Sequence, residues 1–239
     1  MRAPEAGGRM RDVLARLRSD ILCFRLAPGE PISERELEGS YAASRSPIRA
    51  VLAQLISEGL VVRTARGHAV APFDLGEIEE IFEFREIAEA AAIRLACLRA
   101  EPAALDAIQA ELDRSLNAFT PDSWMEAGLD FHVRLAALGG NRFLVDGVRR
   151  ATIRTLRARW LVAGSEAGRR ASHEEHSAIL EHLRAGAAEA AEAAVIAHSR
   201  AIRRQAVAAI EAARPILGRR GFAESGRQAA RPARTATGS

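Results

Sequence analysis

The sequence predicts a mainly α-helical protein: an N-terminal winged helix-turn-helix followed by an all-α bundle of six helices. Three observations predict it. Of the 239 residues, 48% are hydrophobic but only 5% aromatic, and Ala, Leu, Arg and Glu, all helix formers, dominate over the β-branched and aromatic strand formers. Apolar residues recur at helical spacing through most of the chain. Two short β-prone runs around a glycine-containing loop stand alone near residue 65.

In the head, Val13, Leu14, Leu17, Ile21 and Leu22 give residues 9–26 the period of a first helix. Pro28, Gly29 and Pro31 break it. Ser33 with Glu36 three residues on forms a capping box, and Ile32 with Leu37 a hydrophobic staple, so a short second helix is expected over 34–40. A third helix is expected after Ser46, with Ser46 as N-cap and Pro47 at its first position. Ile48, Val51, Leu52 and Leu55 form its buried stripe. Gly59 ends it, and residues 60–62 and 68–70 flank the loop 63–67 as a hairpin. From Leu75 to Ala212 the pattern is helical, with breaks near 100–102, 120–121, 139–140, 163–164 and 186. The expected organisation is a head over 1–71, a hinge at 72–76, a helical body over 77–214 and a disordered Arg/Gly/Ser/Pro tail over 215–239.

Every basic residue is arginine, and the net charge of +3 is uneven. Residues 75–214 carry 18 Arg against 21 acids, while 215–239 carry 5 against 1. No apolar run approaches the roughly 18 residues of a membrane span, and the start lacks an apolar signal core. Two cysteines, Cys23 and Cys97, make no disulfide framework, so a cytoplasmic protein with two buried thiols is expected.

A recognition helix presents residues near its N-terminus to the major groove of double-stranded DNA. Here these are Ser44, Arg45, Ser46 and Arg49; Ile48 faces the core, so Arg49, ~100° further round, faces outward. Arginine suits both guanine edges and phosphate, and the serines can donate to phosphate oxygens. Arg35 on the second helix and Arg66 with Gly67 at the wing tip are further candidate contacts.

In the body, His176 lies 10 residues before Gly186 and His198 lies 12 after it. At ~1.5 Å per residue, two antiparallel helices joined at Gly186 would bring both imidazoles nearly level. His132 belongs to an earlier helix, capped by Thr120 with Pro121 at N1. Three neutral imidazoles from three helices can bind a divalent metal in a bundle; buried core histidines are the alternative on spacing alone. His173 and His182 are expected at the surface.

Residues 10–71 resemble the DNA-binding domain of GntR-family bacterial transcription regulators. The resemblance is carried by Pro28-Gly29, Glu34 to Leu37, Ser44 to Arg49, Leu52, Leu55, Glu58 to Val61 and Gly67. It implies that Arg35, Arg45, Arg49 and Gly67 lie on DNA. Glu38 stands where a small residue is usual, and Ala42 where the turn glycine is usual.

Residues 75–214 resemble the effector domain of the FadR-type (FCD) subfamily, through Phe82 to Arg85 with Glu89, Phe131-His132, Gly140-Asn141, His176 to Leu180, Gly186 and His198. Six helices suggest its VanR-like branch. That resemblance implies a small organic acid as effector, often beside a metal held by one Asp and three His. The three His match His132, His176 and His198. The Asp position is Gly128, and Asp130 points about 160° away from His132 on a straight helix. Zinc, nickel or manganese would suit three imidazoles with water or effector completing the shell. Arg85 and Asn141 are candidate anchors for an effector carboxylate; an ion pair from Arg85 to Glu89 and a helix cap from Asn141 are the competing uses.

The expected function is a homodimeric, effector-controlled transcription regulator, a repressor on a palindromic operator, and not an enzyme. A metal-free organic-acid sensor and a three-histidine metalloenzyme are the rivals.

Overall fold

A computed structural model describes residues 6–118, 131–163 and 165–223. The head contains α1 (Ala6–Leu22), β1 (Pro31–Ile32), α2 (Glu34–Ser40), α3 (Arg45–Ser57), β2 (Val61–Thr64) and β3 (Gly67–Val70). The apolar stripes named above close on one another: Val13, Leu17, Ile21, Leu37, Ile48, Leu52 and Leu55 share a buried cluster. Ser33 caps α2 through the Glu36 amide, and Ile32 and Leu37 are both buried.

Four local readings are corrected. The first helix ends at Leu22, not residue 26, because Phe24 adopts φ 57° and turns the chain. α3 starts two residues earlier than expected, at Arg45 with Ser44 as N-cap, which puts Pro47 in the first turn rather than at its first position. The hairpin strands reach Thr64 and start again at Gly67, tightening the wing turn to Ala65-Arg66. A third strand joins it: Pro31 and Ile32 pair with Ala69 and His68, giving the order β1-β3-β2. A two-residue strand that begins with a proline carries too little period to be seen.

The body contains α4 (Leu75–Arg99), α5 (Pro102–Asn117), α6 (residues 131–138), α7 (Arg142–Ala163), α8 (Glu166–Arg184) and α9 (Ala188–Leu217). Among the described residues this is six helices, as expected. α4, α7 and α9 pack on one another, α8 lies on α9, and α5 lies on α8. Gly186, at φ 66°, reverses the chain between α8 and α9. The Thr120-Pro121 cap, Gly128 and Asp130 lie outside the described residues.

Head and body share packing. Leu156 and Trp160 of α7 join the head cluster. The segment 72–76 holds a buried Phe73, then Asp74, which caps α4 through the Gly76 and Glu77 amides. Arg157 lies over the Phe73 ring, 4.9 Å from its centroid, and donates to the Ala71 carbonyl at 2.5 Å.

The tail reading is corrected at its start. α9 continues through Pro215 to Leu217, and a 3₁₀ turn, Arg219–Gly221, follows. The Phe73 amide donates to the Gly221 carbonyl at 2.8 Å and the Ala223 amide to the Phe73 carbonyl at 2.9 Å. Proline near the end of a helix costs few hydrogen bonds, and Phe222 supplies an apolar anchor that the polar composition conceals. Residues 224–239 lie outside the described residues.

Candidate functional site

The reversal at Gly186 does what helical arithmetic requires. His176 Nε2 and His198 Nε2 stand 3.2 Å apart. His132, from α6, closes the group: one ligand atom from each of the three imidazoles lies within 4.8 Å of the others, and all three are buried. Phe131 stacks on His176, centroids 3.8 Å apart at 15°, which holds that ring in place.

Two carboxylates orient the imidazoles. His132 Nδ1 faces Glu89 Oε2 at 3.0 Å, and His198 Nδ1 faces Glu175 Oε2 at 2.6 Å. An ionised carboxylate only accepts, so each Nδ1 carries the proton and each Nε2 a lone pair. Arg159 Nη2, which can only donate, lies 3.4 Å from His132 Nε2 and is consistent with that tautomer.

Burial lowers the His132 pKa to about 3, with Glu89 opposing and Arg85 and Arg159 assisting. Burial also pulls His176 well below the usual range, helped by its imidazole neighbours, and lowers His198 against the pull of Glu175. All three are therefore neutral near pH 7, the state that ligates metal. Burial would raise the Glu89 pKa, but Arg85 and His132 outweigh it and keep the carboxyl ionised. Burial brings Arg159 down to about 9.

Arg85 is 1% exposed. Its Nε donates to Glu89 Oε1 at 2.8 Å and its Nη1 to Thr155 at 3.3 Å. Glu89 thus bridges Arg85 and His132 with its two oxygens. Arg85 Nη2 is buried with no acceptor, as is Ser199 Oγ beside His198. Asn141 is not brought to this cluster. Its Oδ1 accepts from the Phe143 and Leu144 amides at 3.0 and 3.4 Å, capping α7.

His173 is half-buried and pairs with Asp113 at 2.7 Å; His182 lies in the last turn of α8. Cys23 and Cys97 form no disulfide and are only half-buried. Glu175 and Arg159 escaped the sequence reading, since neither has a spacing that ties it to a partner more than 20 residues away.

On the head, Arg35, Ser44, Arg45, Ser46, Arg49, Arg66 and Gly67 are all exposed. Arg35, Arg45, Arg66 and Gly67 line one concave surface between α2, α3 and the wing. Arg49 lies in an adjoining recess with Arg63. His68 borders both. Arg45 Nε donates to Glu34 at 3.2 Å, so its charge is partly engaged within the head. Ala42, in place of the turn glycine, has φ 47°.

No helix among the described residues is long and apolar enough to cross a membrane. Residues 9–70 match the model of the bacterial regulatory proteins, gntR family, and residues 80–201 match the FCD domain. The chain is 34% identical over 179 residues to the Nta operon transcriptional regulator of Aminobacter aminovorans, covering 73% of this chain and 83% of that one. It is 28% identical over 198 residues to the HTH-type transcriptional regulator LutR of Bacillus subtilis, covering 72% and 90%. Among solved structures, E. coli McbR/YncC matches with a TM-score of 0.68 at 19% identity, covering 86% of this chain and 99% of that one. A putative GntR regulator from Rhodococcus sp. RHA1 matches at 0.69 and 20%, covering 84% and 98%. These two carry the fold alone. The relatives are transcription regulators, which sets the metalloenzyme rival aside. The chain belongs to the GntR family and carries its FCD domain: it is a DNA-binding transcription regulator with a ligand-sensing C-terminal domain, not an enzyme.

Proposed function

We propose that this regulator is a cytoplasmic homodimeric repressor of the VanR-like branch, and that the three-histidine cluster with Arg85 is its sensory site. The observation that carries the reading is the cluster of three buried imidazoles, linked through Glu89 to a buried Arg85 whose Nη2 has no acceptor. An unsatisfied buried donor costs about 1–3 kcal/mol, so Arg85 Nη2 is best understood as waiting for an anion. A small organic acid fits: a carboxylate would accept from Nη2, while Glu89 keeps the other side of the guanidinium fixed.

The donor set also fits a divalent metal, zinc, nickel or manganese. Two ligands of one tetrahedral ion at ~2.05 Å stand ~3.3 Å apart, and His176 and His198 already have that separation. Glu89 and Glu175 hold the Nδ1 protons of His132 and His198, as metal-ligating histidines require. A bound metal would supply positive charge that strengthens carboxylate binding. The family's aspartate has no counterpart at Gly128, so the open positions fall to water or effector. A metal-free pocket is the second reading, because one tautomer of His176 can donate directly to His198 at the same distance.

On the head, Arg45 and Arg49 read or grip double-stranded operator DNA, with Ser44 and Ser46 on phosphate, Arg35 beside them, and Arg66 and Gly67 at the wing. Two heads related by a two-fold axis would require a palindromic operator. The head is taken as 1–71 and the body as 77–214. A thermal-shift screen of small organic acids, with and without divalent metal, tests the sensory site. Stabilisation by carboxylates that disappears in Arg85→Met supports it; equal stabilisation of both proteins contradicts it.

A further inference from the structure

The 3₁₀ turn after α9 is ordered against the head, although its sequence, Gly218-Arg219-Arg220-Gly221, looks like solvated tail. Its seat is built by backbone and rings. Both bonds to Phe73 use main-chain groups. Phe222 packs against Phe73, centroids 6.4 Å apart, and Arg214 lies over the Phe222 ring at 4.1 Å. The approach to the head is so close that a Cβ on Gly29, held at φ 77°, would collide with the Arg220 carbonyl. Pro28-Gly29 therefore serves a second purpose besides turning the chain.

Since the backbone makes the docking, the two guanidinium groups are left over. Arg219 and Arg220 are exposed, and neither has an acidic partner among the described residues. Arg220 lines the same concave surface as Arg35, Arg45 and Arg66. That surface also carries Glu34, Glu36 and Glu38. With Arg220 it has four arginines against three glutamates; without it the face is neutral. A surface meant for a polyanion gains its positive sign from a residue of the C-terminal turn.

We infer that the Arg219–Gly221 turn is part of the DNA-binding surface, with Arg219 and Arg220 holding backbone phosphates beside the segment gripped by α3 and the wing. The inference rests on the DNA contacts proposed for the head and adds a contact supplied by the far end of the chain. Contacts of this kind position the protein without reading sequence.

The test is salt-dependent binding of the full chain to a fluorescent mixed-sequence DNA duplex, between ~50 and ~200 mM salt. Arg219→Gln with Arg220→Gln should weaken binding and flatten the log–log salt slope by about 1 per residue removed. Phe222→Ala, which keeps both charges but loosens their seat, should flatten it in the same direction. Arg170→Gln with Arg184→Gln, on α8, removes equal charge elsewhere and should leave the slope close to wild type. An unchanged slope in the Arg219/Arg220 variant overturns the inference, as does an equal loss in the α8 variant. A full slope in Phe222→Ala overturns the role of docking. If Arg45→Ala with Arg49→Ala also binds like wild type, the head's DNA surface itself is wrong; if only that variant weakens, the turn alone is excluded.

Discussion

Glu89 is the residue on which the proposed sensory site turns. One carboxylate fixes both the Arg85 guanidinium and the His132 tautomer, so Glu89→Gln should act twice. It leaves a buried arginine without its counter-charge, at a cost of about 3–5 kcal/mol, read as a lower urea midpoint. It also loosens an imidazole, which should weaken divalent-metal affinity about 10- to 100-fold. The sign of the pH dependence follows from the same groups. An unfolded histidine takes up its proton near pH 6.5, whereas His132 in the folded chain does so only near 3. Between those values the unfolded state binds the extra proton, so metal-free protein should lose stability as pH falls from about 6.5 toward 3. Glu89, ionised below the usual carboxylate range, pushes the same way. A urea midpoint in chelator that is equal at pH ~5 and ~7.5 would contradict this. Ala42 makes a smaller, opposite case. A left-handed alanine costs about 1–2 kcal/mol, partly offset by the flexibility glycine brings to the unfolded chain. Ala42→Gly should therefore stabilise by up to about 1 kcal/mol in thermal unfolding.

At the scale of elements, α3 shows how packing and recognition divide one helix. Ile48, Val51, Leu52 and Leu55 are buried, and Arg45 and Arg49 are exposed. Leu52→Ala should cost about 2–5 kcal/mol in chemical unfolding; a cost below ~1 kcal/mol would mean that the stripe is not the core. α2, α3, the wing and the α8–α9 reversal were legible because each combines a period with a punctuating residue: Ser33 with Glu36, Gly59, Gly67, Gly186. What was missed had no such signature. β1 is two residues long, and its place is set by β3 rather than by its own sequence. The ordered turn after α9 was hidden by Pro215 and a run of Arg and Gly, because its order comes from Phe73, nearly 150 residues away in sequence. The pairing of His176 with His198 could be found by counting along two helices. Glu175 at His198 could not, since it depends on the rotation of α8 about its axis.

For the whole molecule, α9 joins the histidine cluster to the segment packed against the head. It carries His198 within the buried cluster and runs on to the turn that clamps Phe73, which also meets Phe24 of the head, centroids 6.1 Å apart. Dimerisation belongs to this scale too. Phe84 and Ile87 of α4 and Phe143 of α7 are 48%, 66% and 73% exposed. Phe84 also lies so close over Gly147 of α7 that a Cβ there would come within 3.0 Å of its ring. Exposed apolar side chains of this kind suit an interface, and a second copy is the occupant proposed for them. Ile87→Glu with Phe143→Glu should halve the mass seen by light scattering; a monomeric wild type would contradict the dimer.

Calorimetric titration of a divalent metal into chelator-treated wild type and His176→Ala decides whether the three imidazoles hold a metal. One ion per chain in wild type, lost or greatly weakened in His176→Ala, is the predicted result. No uptake by wild type, or equal uptake by both proteins, would show that the three imidazoles do not form a metal site.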